Sequence, residues 1–188
     1  MSSKQRGKLV LYSGASGVGK GTILGEAMRR NPKLRLSVSH TTRDPREGET
    51  DGVQYHFVTR EEFEDLIRRD GYLEYAEYCD NLYGTPKQQV EELLEQGYDV
   101  MLEIEVQGGL QVMEKYPGVL SIFILPPSMS ELEKRLRNRG TEDEETVQKR
   151  LKQAKTEIAM KDRYQHHVVN DDLQTAVDRV LEIIERGE

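Results

Sequence analysis

The chain has 188 residues, of which 36% are hydrophobic and 32% charged, and its formal net charge at pH 7 is −7. This length predicts one domain with insertions, and the acidic balance argues against nucleic acid as a partner, because surfaces that bind DNA or RNA are basic. The single cysteine, Cys79, excludes an internal disulfide, and no apolar run approaches a membrane span or a leader, so we expect a cytoplasmic protein with no membrane partner.

Apolar and polar residues alternate in patterns that predict short strands separated by helices. In chain order we expect a strand at 9–12, a helix at about 20–30, strands at 34–39 and 53–58, a helix at 59–69, a strand at 72–78, a helix at 85–96, strands at 99–104 and 119–125, helices at 128–139 and 141–160, a strand at 167–169 and a helix at 171–186. Capping boxes indicate three of the helix starts, and a proline at the first helical position indicates a fourth: Thr59–Glu62, Ser128–Glu131, Thr141–Glu144 and Pro86.

A glycine-rich segment lies between the first strand and the first helix, which is the context that a P-loop requires. Its glycines let backbone N–H groups turn inward toward a phosphate, and the helix N-terminus adds the positive end of its dipole. The sequence therefore predicts nucleotide phosphates bound at Gly14, Ala15, Ser16, Gly17, Val18, Gly19, Lys20, Gly21 and Thr22. Because Gly21 stands where the usual pattern has Ser or Thr, we expect Thr22 near Mg²⁺, directly or through water.

The order of the elements predicts an α/β fold, a P-loop NTPase-type parallel sheet covered by helices on both faces. We expect a single domain over residues 1–188, with its core at about 5–36, 97–127 and 161–188. Residues 37–96 predict an inserted small subdomain with a mixed or antiparallel sheet, and residues 128–160 predict an arginine-rich helical lid.

Several motifs in a fixed order resemble the guanylate kinase family over nearly the whole length of the chain. The matching stretches are 37–49, 51–57, 74–77, 81–85, 103–108, 126–128, 135–141 and 169–172. The resemblance implies transfer of the γ-phosphoryl group of ATP to GMP or dGMP, with Mg²⁺ as the cofactor and residues 37–96 as the subdomain that binds the monophosphate.

Four residues of the predicted insertion can surround a monophosphate dianion. Planar guanidinium groups match its oxygens, and phenolic hydroxyls donate further hydrogen bonds. The resemblance implies that Arg43, Arg46, Tyr55 and Tyr83 hold the phosphate of GMP, with Arg43 also counted among the catalytic residues. On the residues alone, the two arginines could equally be solvated loop charges.

A carboxylate can select guanine, because it accepts two hydrogen bonds side by side and guanine offers N1–H and N2–H₂ in that arrangement, whereas adenine does not. The resemblance implies this role for Glu74, with hydroxyls of Ser39 and Thr85 as further donors to the base. Taken alone, Glu74 could also be an ordinary carboxylate on a surface strand.

Two glutamates, Glu103 and Glu105, come two residues apart at the end of an apolar run. We expect both on one side of a strand at the carboxyl edge of the sheet, where α/β proteins bind ligands. The family often has Asp-x-Asp here. The resemblance implies that Glu105 contacts the guanine nucleotide and that Glu103 organises the water shell of Mg²⁺.

The predicted lid carries Arg135, Arg139 and Arg150, which match the arginines that clamp the transferred phosphoryl group in the family. Closure of the lid would bring them over Lys20 and exclude water. The resemblance also implies that Asn170, after the last strand, contacts the adenine of ATP.

Two other functions remain open at this point. A catalytically silent module with this fold could use the monophosphate pocket to bind a phosphorylated peptide, although Lys20 and the loop glycines are intact. A P-loop kinase for another monophosphate is the other alternative, and the Glu74 motif argues against it.

Overall fold

We analysed a computed structural model of the chain that describes residues 5–138 and 143–187. The strands are β1 (Leu9–Gly14), β2 (Leu34–Leu36), β3 (His40–Thr41), β4 (His56–Phe57), β5 (Tyr72–Tyr78), β6 (Asn81–Pro86), β7 (Asp99–Glu103), β8 (Leu120–Leu125) and β9 (His166–Val169). The helices are α1 (Lys20–Arg30), α2 (Arg60–Arg68), α3 (Lys87–Glu95), α4 (Val106–Lys115), α5 (Met129–Asn138), α6 (Glu144–Ile158) and α7 (Leu173–Arg186), and a 3₁₀ turn spans Lys161–Arg163.

The central layer is a five-stranded sheet in the order β2-β7-β1-β8-β9, in which every pair of neighbours is parallel. Val10, Leu11 and Tyr12 of β1 are fully buried, because helices cover both faces of the sheet. Helices α1, α5, α6 and α7 bury apolar residues against one face, and α3 and α4 against the other. The predicted fold class is therefore confirmed. Within the described residues, no helix is both long enough and apolar enough to cross a lipid bilayer.

A second, smaller sheet has the order β4-β3-β6-β5 and belongs to the inserted segment. Strands β3 and β4 are parallel, whereas β6 is antiparallel to both β3 and β5, so the sheet is mixed as predicted. It has a core of its own around Phe63, Tyr72 and Leu82, in which the rings of Phe63 and Tyr72 stack with centroids 4.3 Å apart. This core lets the insertion hold its shape beside the central sheet.

Several predicted boundaries were wrong. The strand expected at 34–39 ends at Leu36, the strand expected at 53–58 is only His56–Phe57, and β3 lies in a segment interpreted as loop. Strand β6 and helix α4 were missed altogether. Pro86 precedes α3 as its N-cap instead of occupying its first helical position.

Of the three predicted capping boxes, one is complete, one shows only its first hydrogen bond and one is wrong. The Thr59–Glu62 capping box starts α2, and the Ser128 hydroxyl accepts a hydrogen bond from the Glu131 amide at the start of α5. Helix α6 begins instead after Asp143, whose carboxylate accepts from the Thr146 amide, and Thr141 lies outside the described residues.

Helix α4 contains a Gly108–Gly109 pair because it packs closely against its neighbours. A Cβ at residue 109 would lie 2.5 Å from the Tyr164 hydroxyl and 3.2 Å from the Ser13 hydroxyl. We expect Gly109→Ala to lower the free energy of unfolding by about 1–3 kcal/mol, because α4 must move away from the buried Tyr164 and from β1 to make room for the methyl group. Urea unfolding measures this change.

Gly25→Ala is the matched control, since residue 25 is an exposed position of α1 where a Cβ would meet no described atom within 4 Å. This substitution should raise the free energy of unfolding by about 0.5–1 kcal/mol, because alanine loses less backbone entropy in a helix than glycine. Equal effects of the two substitutions would contradict the close packing of α4.

Candidate active site

The predicted P-loop connects β1 to α1 at the carboxyl edge of the central sheet. Gly17 and Gly19 have φ values of 86° and 91°, a conformation that favours glycine. Helix α1 starts with no side-chain cap and no acidic residue in its first turn, so its N-terminal N–H groups are left for a ligand. The Lys20 ammonium donates to the carbonyls of Gly14 (2.7 Å) and Ala15 (3.2 Å), which holds it over the loop.

Asn170 lies directly after β9 and contacts the far side of this loop. Its side-chain amide donates to the Val18 carbonyl at 2.8 Å, and a Cβ at residue 19 would lie 2.5 Å from the same nitrogen. The Asn170 carbonyl accepts a hydrogen bond of 2.9 Å from the Arg135 guanidinium of α5. The structure therefore places Asn170 against the P-loop and Arg135 against Asn170, while their roles stay predictions.

Two side chains of α6 contact Ser16 in the P-loop. The Arg150 guanidinium donates to the Ser16 hydroxyl at 2.7 Å, and the Glu157 carboxylate accepts from the Ser16 backbone amide at 3.3 Å. Arg150 was predicted to lie near the phosphates, whereas Glu157 was not. The third predicted lid arginine, Arg139, lies outside the described residues.

In the inserted subdomain, Arg43, Arg46, Tyr55 and Tyr83 form an arginine–tyrosine cluster. Arg43 makes a bidentate ion pair with Glu49, with both N–O distances 2.9 Å and side chains only 14% and 18% exposed. The Arg43 guanidinium and the Arg46 backbone amide hold the pKa of the Glu49 carboxyl below its usual range. The rings of Tyr55 and Tyr83 are edge-to-face with centroids 5.8 Å apart, and Arg43 lies 5.6 Å from the Tyr55 ring. These predicted residues are brought together, and the Arg46 side chain is exposed beside them.

Glu74 and Thr85 face each other on β5 and β6. The Thr85 hydroxyl donates to the Glu74 carboxylate at 2.6 Å, and Glu74 is 6% exposed, which makes it an interior carboxylate instead of a surface one. Burial raises the pKa of Glu74, and the bonds from Thr85 oppose that shift. Ser39 precedes β3, and the antiparallel register of β3 with β6 (His40 opposite Gly84) places it alongside Thr85.

Helix α4 passes directly over the Glu74 carboxylate. A Cβ at residue 108 would lie 2.8 Å from Glu74 Oε2, so only glycine fits this position without moving the carboxylate. The Glu74 carboxylate therefore lies between α4 on one side and Thr85 of β6 on the other. This contact explains why α4 contains glycine at a position where helix propensity disfavours it.

Glu103 and Glu105 do not lie on the same strand, which corrects the prediction. Strand β7 ends at Glu103, and Glu105 is the N-cap of α4. The two carboxylates are nevertheless close: burial raises the pKa of Glu103, Lys20 opposes that shift, and Glu105 adds to it. The relative position of the two carboxylates is therefore set by the turn from β7 into α4, and not by the alternation of side chains along one strand.

The charge of Glu105 influences both the arginine–tyrosine cluster and Glu103. Burial raises the pKa of Tyr55, the neighbouring Tyr83 raises it further, and the negative charge of Glu105 acts in the same direction. Because Glu105 also acts on Glu103, which interacts with Lys20, charged groups form a continuous series from the P-loop to the arginine–tyrosine cluster.

The sequence analysis missed two residues of the site. Glu49 lies in a stretch that carries the family resemblance, but its distance along the chain from Arg43 gave no signal for the ion pair. Glu157 also gave no signal, because a glutamate among the lysines of a long helix is usually solvated.

Comparisons with known proteins find similar chains over nearly the whole length. The guanylate kinase family model matches residues 6–187. The chain is 54% identical to a guanylate kinase of Oceanobacillus iheyensis, over 96% of this chain and 88% of that protein, and 49% identical to one of Desulfitobacterium hafniense, over 96% and 90%. A crystal structure of guanylate kinase from Anaplasma phagocytophilum superimposes with a TM-score of 0.73 at 35% identity, covering 97% of this chain and 87% of that one.

The bond between Thr85 and Glu74 gives a prediction for the carboxyl pKa. Thr85→Val should raise the pKa of Glu74 above its already elevated value, because the hydroxyl that stabilises the charged form is lost. Thr85→Ser keeps the hydroxyl and should leave the pKa near that of the unsubstituted protein. Carboxyl ¹³C NMR titration measures both, and a lower pKa in Thr85→Val would contradict the assigned bond.

Proposed function

The chain belongs to the guanylate kinase family, and we propose that it transfers the γ-phosphoryl group of ATP to GMP or dGMP across the cleft between its P-loop and its inserted subdomain. The observation that supports this proposal is that the inserted subdomain carries both the arginine–tyrosine cluster and the buried Glu74–Thr85 pair. The charge of Glu105 acts on this cluster and on Glu103, which interacts with Lys20 of the P-loop. The products are ADP and GDP or dGDP. We place this reaction in the cytoplasm, where its nucleotide substrates occur.

The donor phosphates bind to residues 14–22. Backbone amides of the loop and of the first turn of α1 donate to the phosphate oxygens, and the helix dipole favours their negative charge. Lys20 turns from the Gly14 and Ala15 carbonyls to the outer phosphates. Asn170, which is bonded to the Val18 carbonyl, lies where the adenine end of ATP meets the protein.

The phosphate of GMP binds at the arginine–tyrosine cluster. Arg43 is held in place by its bidentate pair with Glu49, so little side-chain entropy is lost when it binds a phosphate. Arg46, Tyr55 and Tyr83 complete the set of donors around the dianion. The acceptor oxygen is thereby directed toward the P-loop.

Glu74 selects the base. Its carboxylate accepts from N1–H and N2–H₂ of guanine, and the hydroxyls of Thr85 and Ser39 add further contacts. Because Glu74 is buried, a base that leaves its oxygens unpaired loses more than about 1–3 kcal/mol of binding free energy. Glu105 contacts the same nucleotide from the N-terminus of α4.

In the transfer step a GMP phosphate oxygen attacks the γ-phosphorus while the bond to the leaving oxygen of ADP breaks. The protein contributes positioning and neutralisation of charge, through Lys20 and the lid arginines Arg135, Arg150 and Arg139. A Cβ on Gly21 would lie 3.9 Å from Glu103 Oε1, so Glu103 offers a hard oxygen ligand beside the loop, and Thr22 would be a further ligand of Mg²⁺, directly or through water. When bound, Mg²⁺ neutralises charge on the phosphates.

An assay of ADP release with ATP and each of GMP, dGMP, AMP, CMP and UMP tests the function. Turnover with GMP and dGMP should exceed that with the other monophosphates by at least about hundredfold, because only guanine satisfies Glu74. Binding of GMP without turnover would favour the silent phosphopeptide module, and a preference for AMP would contradict the role of Glu74.

Substitutions on the two sides of the cleft should separate donor from acceptor effects. Lys20→Ala should lower kcat by about hundredfold or more with the KM for GMP nearly unchanged, because it removes charge that stabilises the transition state. Arg43→Ala should raise the KM for GMP by about ten- to hundredfold, because it removes a charge-assisted contact to the acceptor phosphate.

Arg68→Ala is the control, since Arg68 is an exposed arginine of α2 whose ion pair is with Asp65. Its steady-state constants should match those of the unsubstituted protein. If Lys20→Ala and Arg43→Ala changed the constants for ATP and GMP alike, the division of the cleft into two phosphate sites would be wrong.

A further inference from the structure

Glu157 is a buried carboxylate that the reaction described above does not use. It lies near the end of α6, seven residues after Arg150, so both side chains lie on the face of the helix that meets the P-loop. Arg150 donates to the Ser16 hydroxyl and Glu157 accepts from the Ser16 backbone amide. The carboxylate oxygen therefore takes up an N–H group of the loop that binds phosphates.

The surroundings of Glu157 do little to compensate its charge. The residue is 8% exposed, and its hydrogen-bond partners are the neutral Ser16 amide and the neutral side chain of Gln153, at 2.8 Å. Burial raises the pKa of Glu157 and Glu105 adds to this shift, whereas Gln153, Ser16 and Lys20 oppose it. The nearby phenol of Tyr164 is neutral. A buried carboxylate of this kind repels any further negative charge brought close to it.

We propose that Glu157 is an affinity-determining residue for the donor, an internal anion that occupies the Ser16 amide and opposes the entry of the triphosphate into the P-loop. This inference rests on the proposed function, because it assumes that residues 14–22 bind the phosphates of ATP. The donor must displace the carboxylate or drive its protonation, and either change costs free energy that would otherwise tighten binding. Because the carboxylate belongs to α6, donor binding and the position of the lid helix are linked through Ser16.

The contact with Ser16 also gives a reason for a buried carboxylate at residue 157, although burial of its charge lowers the stability of the fold. A nucleotide kinase must release ADP after each turnover, and a carboxylate that returns to the loop favours departure of the product phosphates. GMP binds in the other lobe, where Glu74 and Arg43 make the contacts, so Glu157 should affect the donor and not the acceptor.

The test substitution is Glu157→Gln, which keeps the size of the side chain and an oxygen acceptor for Ser16 but removes the charge. The dissociation constant of the magnesium complex of a non-hydrolysable ATP analogue, measured by isothermal titration calorimetry, should fall by on the order of tenfold. The KM for ATP should fall as well, whereas the KM for GMP should stay unchanged.

Glu145→Gln is the matched control. It removes one negative charge from the same helix, but Glu145 is an exposed residue paired with Lys149, with a side chain 77% exposed. Its affinity for the ATP analogue should equal that of the unsubstituted protein. Equal tightening in both variants would attribute the effect to net charge and overturn the proposal.

An unchanged or weaker affinity of Glu157→Gln for the analogue would also overturn the proposal and show that Glu157 only packs the loop against α6. If Glu157→Gln folds poorly, Glu157→Met serves instead, because it is uncharged and of similar volume, and it should tighten binding in the same direction. Failure of the proposed function is distinguishable: if residues 14–22 do not bind ATP, the unsubstituted protein does not bind the analogue, and if GMP is not the acceptor, a different acceptor appears in the assay of monophosphates instead.

Discussion

The tight turn between β1 and α1 is the constraint on which the rest of the molecule depends. In our proposal the amides of this turn bind phosphate, so the surrounding elements hold the turn mainly through its carbonyls; the Ser16 amide, which donates to Glu157, is an exception. Asn170, which directly follows β9, donates a hydrogen bond to the Val18 carbonyl, and the Lys20 ammonium donates to the Gly14 carbonyl. The Tyr12 hydroxyl donates to the Lys20 carbonyl at 3.1 Å. The parallel sheet supplies these supports, because its strands all end at one edge.

Three carboxylates around the cleft share one electrostatic property. Burial raises the pKa of Glu74, Glu103 and Glu157, which means that burial disfavours the charged form of each carboxyl group. A group whose pKa is raised in the folded state destabilises the fold as pH rises through that value. Such groups are common where a ligand supplies the missing partner. In our proposal, guanine does so for Glu74 and a metal ion for Glu103, whereas the donor phosphates act against Glu157.

The sequence analysis succeeded where a function needs a local pattern and failed where contacts between distant residues decide the structure. The P-loop is such a local pattern, and so is the Thr59–Glu62 capping box. Helix α4 was missed because Gly108 and Gly109 lower its helix propensity, and the reason for these glycines is the approach of Glu74 and Tyr164 from elsewhere in the chain. The same helix begins at Glu105, which is why that residue could not share a strand with Glu103.

Residue types and their spacing alone determined the α/β class and predicted the phosphate loop at 14–22, whereas the resemblance to the guanylate kinase family supplied the candidate residues of both nucleotide sites. Those features are encoded in segments of about ten residues, within which backbone geometry allows few alternatives. Tertiary structure alone decided that Glu49 holds Arg43, that Thr85 meets Glu74 inside the protein, and that Glu157 lies against Ser16. The Ser16–Glu157 contact joins residues 141 positions apart. A glutamate in a sequence is therefore expected to be solvated, because only the fold shows that it is buried.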